Sequence, residues 1–74
     1  MPLSMAKENE MLRIEKILGG NNLRQRLSAM GLYEGNTVKV YSNGSNGPVI
    51  VAVANSKIAI GRGMAQKIIV APAV

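Results

Sequence analysis

The stretch LRQRLSAMGLYEG, residues 23–35, constrains the fold more than any other part of the chain. Leu23, Leu27 and Met30 recur at i, i+4 and i+7, which puts three long apolar side chains on one helical face. This spacing predicts a helix over residues 22–30. Arg24, Gln25, Arg26 and Ser28 fall between the anchors and face outward. Asn21 or Asn22 stands where a side-chain oxygen receives the first free N–H groups of such a helix. Gly31 comes directly after the last anchor, where a helix ends in a left-handed residue at little steric cost. Leu32 is then the apolar contact that accompanies such a stop. Glu34-Gly35 forms a second turn, and Thr37 to Tyr41 opens a strand pattern. Gly31 and Gly35 are therefore read as structural turn residues.

The segments on either side read as strands and turns. Pro2 to Asn9 is expected to be an irregular lead-in, with Leu3 and Met5 against the body and Lys7, Glu8 and Glu10 in water. Leu12 and Ile14 alternate with Arg13 and Glu15, the period-two pattern of a half-buried strand. Ile17 and Leu18 continue it, but the alternation slips at Lys16, which predicts a bulge or twist there. Gly19-Gly20-Asn21-Asn22 breaks the chain. After the helix, Val38 and Val40 face one way while Thr37, Lys39 and Tyr41 face the other. Ser42 to Gly47 is a polar loop with two Asn-Gly dipeptides suited to positive φ, closed by Pro48. Val49 to Ala54 is apolar throughout, as expected of a central strand covered on both faces. Asn55-Ser56 turns into Lys57–Ile60, and Gly61-Arg62-Gly63 breaks that arm. Met64 to Gln66 forms one helical turn, and Lys67 to Val70 is the last strand, ended by Pro72.

Five short strands with one inserted helix, in a chain of 74 residues, make one small domain over 1–74. A flat sheet of this composition leaves an apolar face and two edges open. Partial closure into a small, strongly bent, mostly β barrel buries the Val and Ile side chains.

Charge and composition narrow the chemistry. The chain has no Cys and no His, and Asp is also missing. Disulfides, thiolate chemistry and imidazole ligands are excluded, and with them the commonest general base. The formal charge is +5 and unevenly placed. Glu8, Glu10 and Glu15 lie near the start, whereas seven basic residues from Lys16 onward face Glu34 alone. Such asymmetry suits an acidic partner, and it also keeps a small surface soluble. No segment approaches the roughly 18 apolar residues that span a bilayer, and no secretory signal is visible, so the chain reads as cytoplasmic. Gly19-Gly20 and Gly61-Arg62-Gly63 lack the Gly-Lys-Ser/Thr ending of a phosphate loop and read as turns.

The succession ILGG-x-x-L-x-x-RL-x-x-MGL-x-x-G-x-x-V-x-V, then GPVIV, then IAIGRGMA-x-KI-x-V, resembles the ferrous iron transport protein A (FeoA) family. The resemblance runs from about Pro2 to Val70. It implies an SH3-like barrel with an inserted helix. It departs at Asn9, where the family more often has Gly, although Asn tolerates the left-handed region. The resemblance further implies an accessory or regulatory protein that binds the cytoplasmic GTPase region of a ferrous iron permease. A related barrel forms the C-terminal domain of iron-dependent repressors.

The residues add their own expectations. No catalytic set is present, so the chain is not read as an enzyme. Arg24, Lys39, Arg62 and Lys67 are expected to point away from the barrel and to meet the partner. Arg26 is expected to flank the core and pair with a backbone carbonyl or Glu34, and Met30 to fill the core. No resident cofactor is expected, and ferrous or other divalent ions are expected to bind weakly at most. Two alternatives are a small basic barrel binding nucleic acid, weakened by having only two tyrosines for base stacking, and a metal-responsive regulatory domain, weakened by the missing His, Cys and Asp.

Overall fold

The computed structural model describes residues 1–44 and 46–73. Ser45, within the polar loop, and Val74 lie outside the described residues. A 3-10 turn at Leu3–Met5 leads into β1 (Met11–Ile17), α1 (Asn21–Ala29), β2 (Thr37–Asn43), β3 (Val49–Val53) and β4 (Ser56–Ile60). A single helical turn, α2 (Arg62–Ala65), precedes β5 (Ile68–Pro72). All pairings are antiparallel, in the order β4-β3-β2-β1-β5. The sheet is thus a partly open barrel in which β4 and β5 do not pair.

Alternation decides what is buried. Leu12 and Ile14 on β1, Val38 and Val40 on β2, Val49, Val51 and Val53 on β3, and Ile68 and Val70 on β5 all point inward. The slip at Lys16 is a register shift against β5 between Ile14 and Lys16, after which Ile17 is buried again. Leu27 and Leu32 from the helical connection, Leu3 and Ala6 from the N-terminal segment, Ile60 at the end of β4 and Ala65 on α2 complete the core. Leu3 is fully buried, so the lead-in is an integral part of the fold, whereas Met5 is 70% exposed and does not pack as expected. The Met1–Pro2 backbone also covers β5: Pro2 bridges Ile69, and the Val70 N–H donates to the Met1 carbonyl at 2.7 Å.

The helix stop has the anticipated geometry. Gly31 has φ +90°, its N–H donates to Ser28 at 2.9 Å, and the Leu32 N–H donates to Leu27 at 2.9 Å. This is the paired-bond termination in which a left-handed residue lets the chain satisfy the last carbonyls. Because it ends α1 at Ala29, Met30 lies beyond the last full turn and is 40% exposed. Leu32 takes the core place expected for Met30. Gly35 has φ +94° and its N–H donates to the Ile14 carbonyl at 2.7 Å, pinning the second turn to β1. Asn9, at φ 72°, adopts the left-handed conformation that its position requires.

Other expectations fail for physical reasons. Gly20 is the N-cap of α1, Asn21 is its first residue, and no side chain caps it. Ile50 and Ala52 are only half-buried, because β3 has no second layer over its outer face. Pro72 belongs to β5, at whose end it stands opposite Leu12; a missing N–H is tolerated at such a terminal position. The β3–β4 turn is Ala54-Asn55, and Ala54 has φ 54°, a conformation for which the sequence carries no glycine signal.

Candidate functional site

The connection from α1 to β2 shapes the most featured surface. Tyr33 is 48% exposed and stands between two open grooves. The first, about 400 Å³, runs along α1 and is lined by Asn21, Arg24, Gln25, Ser28 and Glu34. The second, about 480 Å³, lies between the end of α1 and the β3–β4 hairpin. Met30, Tyr33, Val53, Ala54 and Ile58 give it apolar walls, and no charged residue lines it. Met30 and Tyr33 thus form an exposed apolar ridge. Asn36 steadies it from below, donating from Nδ2 to the Gly31 carbonyl at 2.6 Å.

The four basic residues singled out from the sequence do not come together. Arg24 is engaged within the fold: one guanidinium nitrogen donates to the Ile17 carbonyl and another to Glu34 Oε2, each at 3.0 Å. The pairing expected for Arg26 therefore belongs to Arg24, which lies on the side of α1 nearest the end of β1, while Arg26 is exposed. Arg62 does not point away from the barrel. Its guanidinium donates to the Gly47 and Ser4 carbonyls at 3.2 Å each, to Asn43 Oδ1 at 2.7 Å, and to the Gly44 carbonyl. It clasps the N-terminal turn, the end of β2 and the loop after it. Lys39 is exposed in the middle of β2, opposite Met11 on one side and Ala52 on the other. Lys67 is exposed in the turn before β5.

A second surface was not anticipated. The outer face of the sheet carries Met11 and Tyr41, 49% and 54% exposed, beside Lys39 and Lys57. The Lys57 ammonium sits 3.7 Å from the centroid of the Tyr41 ring, a cation–π contact across the β-hairpin sheet. The period-two pattern places these residues outward, but strand pairing alone brings β2 and β4 close enough for the contact.

The carboxylates are dispersed. Glu15 pairs with Arg13 at 3.1 Å and Glu34 with Arg24, while Glu8 and Glu10 accept backbone N–H bonds from Asn43 and Lys7. Among the described residues no three acidic side chains converge as metal ligands do. No helix among them is long and apolar enough to cross a membrane.

Comparison with known proteins agrees with this architecture. A family model described as the FeoA domain matches residues 1–72. A protein of Methanocaldococcus jannaschii named "Putative Fe(2+) transport protein A" is 49% identical over 69 residues, covering 93% of this chain and 83% of the relative. The crystal structure of an iron uptake regulatory protein (FeoA) superposes with a TM-score of 0.88 at 38% identity, covering 95% of this chain and 93% of that one. A zinc-complexed FeoA of Stenotrophomonas maltophilia, described as a prokaryotic SH3 domain protein, shares the fold with a TM-score of 0.80 at 22% identity, covering 96% of this chain and 89% of that one. The five-stranded, partly open sheet with its inserted helix is accordingly an SH3-like barrel. By its match over nearly all of its length, the chain belongs to the FeoA family.

Proposed function

We infer that this protein assists ferrous iron uptake in the cytoplasm, by binding the cytoplasmic GTPase region of a ferrous iron permease. The observation that carries this reading is the FeoA match across residues 1–72, with a relative named for Fe(2+) transport at 49% identity. The surface supports a binding role. An exposed Tyr33 between two grooves, with Met30 on the wall of the second, is the kind of amphipathic anchor that interfaces use. Of the basic candidates, Lys39 and Lys67 remain exposed to meet an acidic partner, while Arg24 and Arg62 act first inside the fold.

The test is binding of the chain to the permease's soluble cytoplasmic region at two salt concentrations. The wild type binds, and Tyr33→Ala weakens binding by about tenfold or more, as truncation of an aromatic anchor does. Lys39→Glu slows association and flattens its salt response, because rim charges act mainly on encounter. Absence of binding, or tighter binding to nucleic acid than to the permease region, overturns the reading.

A further inference from the structure

The barrel is open along β4. β3 pairs with β4 through Val53 opposite Ser56, Ala52 opposite Lys57, Val51 opposite Ile58 and Ile50 opposite Ala59. In a two-residue hairpin the flanking pair exchanges hydrogen bonds, and hydrogen-bonded pairs then alternate along the ladder. Ser56, Ile58 and Ile60 therefore spend their backbone groups on β3. Lys57 and Ala59 turn theirs to the other side. Both residues are exposed, and among the described residues no hydrogen bond reaches their main chain from that side. The opposite end of the sheet differs, since β5 is covered by Met1–Pro2.

The open edge borders the second groove, whose apolar wall includes Ile58, Met30 and Tyr33. A strand laid against β4 would turn alternate side chains to opposite faces. The side chain beside Ile58 would enter the groove, and those beside Lys57 and Ala59 would lie on the outer face. That face carries Lys57 and, one strand beyond Ala52, Lys39. No carboxylate occurs anywhere in residues 49–60, and the four that the chain has are held elsewhere.

We propose that β4 receives an extended segment of the partner protein, alternating acidic and apolar residues, which adds as a sixth strand. The inference rests on the docking function proposed above and names the element that docks. Main-chain bonds to Lys57 and Ala59 supply register, a side chain in the groove supplies apolar contact, and carboxylates beside Lys57 supply charge. A second copy of this chain fits poorly. Antiparallel pairing of two β4 edges puts both Lys57 side chains on one face with no carboxylate between them.

Isotope-labelled protein, alone and with the permease's soluble cytoplasmic region, gives the test by amide hydrogen exchange. Exchange at Lys57 and Ala59 slows in the complex, while Ile58, already bonded to β3, changes less. Ala59→Pro removes an outward donor that the barrel does not use, and it weakens binding by about tenfold, the worth of one interfacial hydrogen bond. Lys57→Glu, which leaves the backbone intact, weakens binding even where the proline variant folds poorly. If the wild type binds but neither amide is protected and Lys57→Glu binds alike, the edge is not the docking element, although the docking function stands. If the wild type does not bind, both readings fail. Protection that appears in the chain alone and rises with its concentration assigns the edge to self-association and overturns the proposal.

Discussion

Arg24 on α1 and Glu34 in the following connection are joined at 3.0 Å, so the ion pair spans the helix stop. The same guanidinium holds the Ile17 carbonyl at the end of β1. One side chain thus ties three consecutive pieces of the chain: strand end, helix and turn. Both partners are nearly half exposed, so solvent screens the pair and its own share is about 0.2–1 kcal/mol. Arg24→Glu loses the pair and the carbonyl bond and adds repulsion with Glu34. It is expected to lower the melting temperature, and adding Glu34→Arg should recover part of the loss. A double-mutant cycle in urea that shows no coupling would mean that the pair contributes nothing in solution.

Gly31 and Gly35 both have positive φ, yet they differ in surroundings. A Cβ on Gly31 would meet Val53 Cγ2 at 3.2 Å, whereas one on Gly35 would meet open space. Alanine at either position costs about 1–2 kcal/mol for the left-handed backbone. Valine at Gly31 adds crowding against the core and costs more. For a chain of this length each kcal/mol lowers the melting temperature by about 4–8 °C. The order expected from thermal denaturation is Gly31→Val below Gly31→Ala, with Gly35→Ala the mildest. Equal midpoints for all three would refute the role given to Val53.

Ala54 at φ 54° offers the reverse experiment. An L-residue other than Gly, Asn or Asp is strained there, and replacing it with glycine relieves that strain against a smaller gain in unfolded-state entropy. Ala54→Gly is expected to stabilise the protein by about 0.5–1 kcal/mol. The check is the midpoint of chemical denaturation, which should rise with an unchanged slope.

These positions also show what can be read from the chain and what cannot. Gly31 with Leu32 and the slip at Lys16 were legible because each expresses a local backbone rule that holds without tertiary context, whereas the left-handed turn at Asn9 was implied by the family resemblance alone. Met30 misled because helical spacing says which residues share a face, not where the helix stops. Once Gly31 ends α1, Leu32 occupies the core instead. The interior bonding of Arg24 and Arg62 was hidden for a different reason. Helical spacing does not say which of Arg24 and Arg26 reaches Glu34, and carbonyls released by turns at Ser4, Gly44 and Gly47 carry no residue signature. The ridge at Tyr33 and the open edge of β4 depend on strand order, which alternation does not specify.

Arg62 is expected to matter for stability before binding. Its guanidinium satisfies carbonyls of Ser4, Gly44 and Gly47 and the Asn43 side chain, and Asn43 Nδ2 in turn donates to Ala6 at 2.6 Å. Removing it leaves Asn43 Oδ1 and the Gly44 and Gly47 carbonyls without this donor, while the Ser4 carbonyl keeps only Asn43 Nδ2, at 3.1 Å. Arg62→Ala should cost about 1–3 kcal/mol, with Arg62→Lys recovering little because an ammonium cannot span the fork. Amide exchange should quicken at Asn43 and in residues 3–6 more than on β1. Uniform quickening would show that Arg62 stabilises the fold generally and not this junction.

The last expectation concerns metal. Hard divalent ions need several oxygen ligands converging within about 2.0–2.6 Å, and ferrous iron favours imidazole and carboxylate sets. This chain has four carboxylates and no imidazole or thiolate. Glu15 and Glu34 are tied to arginines, and binding an ion there means giving up those partners. Glu8 and Glu10 lie close in sequence, but each already accepts a backbone N–H, from Asn43 at 3.3 Å and from Lys7 at 2.8 Å. Two carboxylates with water completing the shell give a weak, exchangeable site at most. Anaerobic calorimetry with ferrous iron or manganese should therefore show binding no tighter than the high-micromolar range, abolished by Glu8→Gln with Glu10→Gln. A sub-micromolar site of one ion per monomer that survives this double substitution would overturn the expectation. One that appears only in a dimer would place the ligands across two chains.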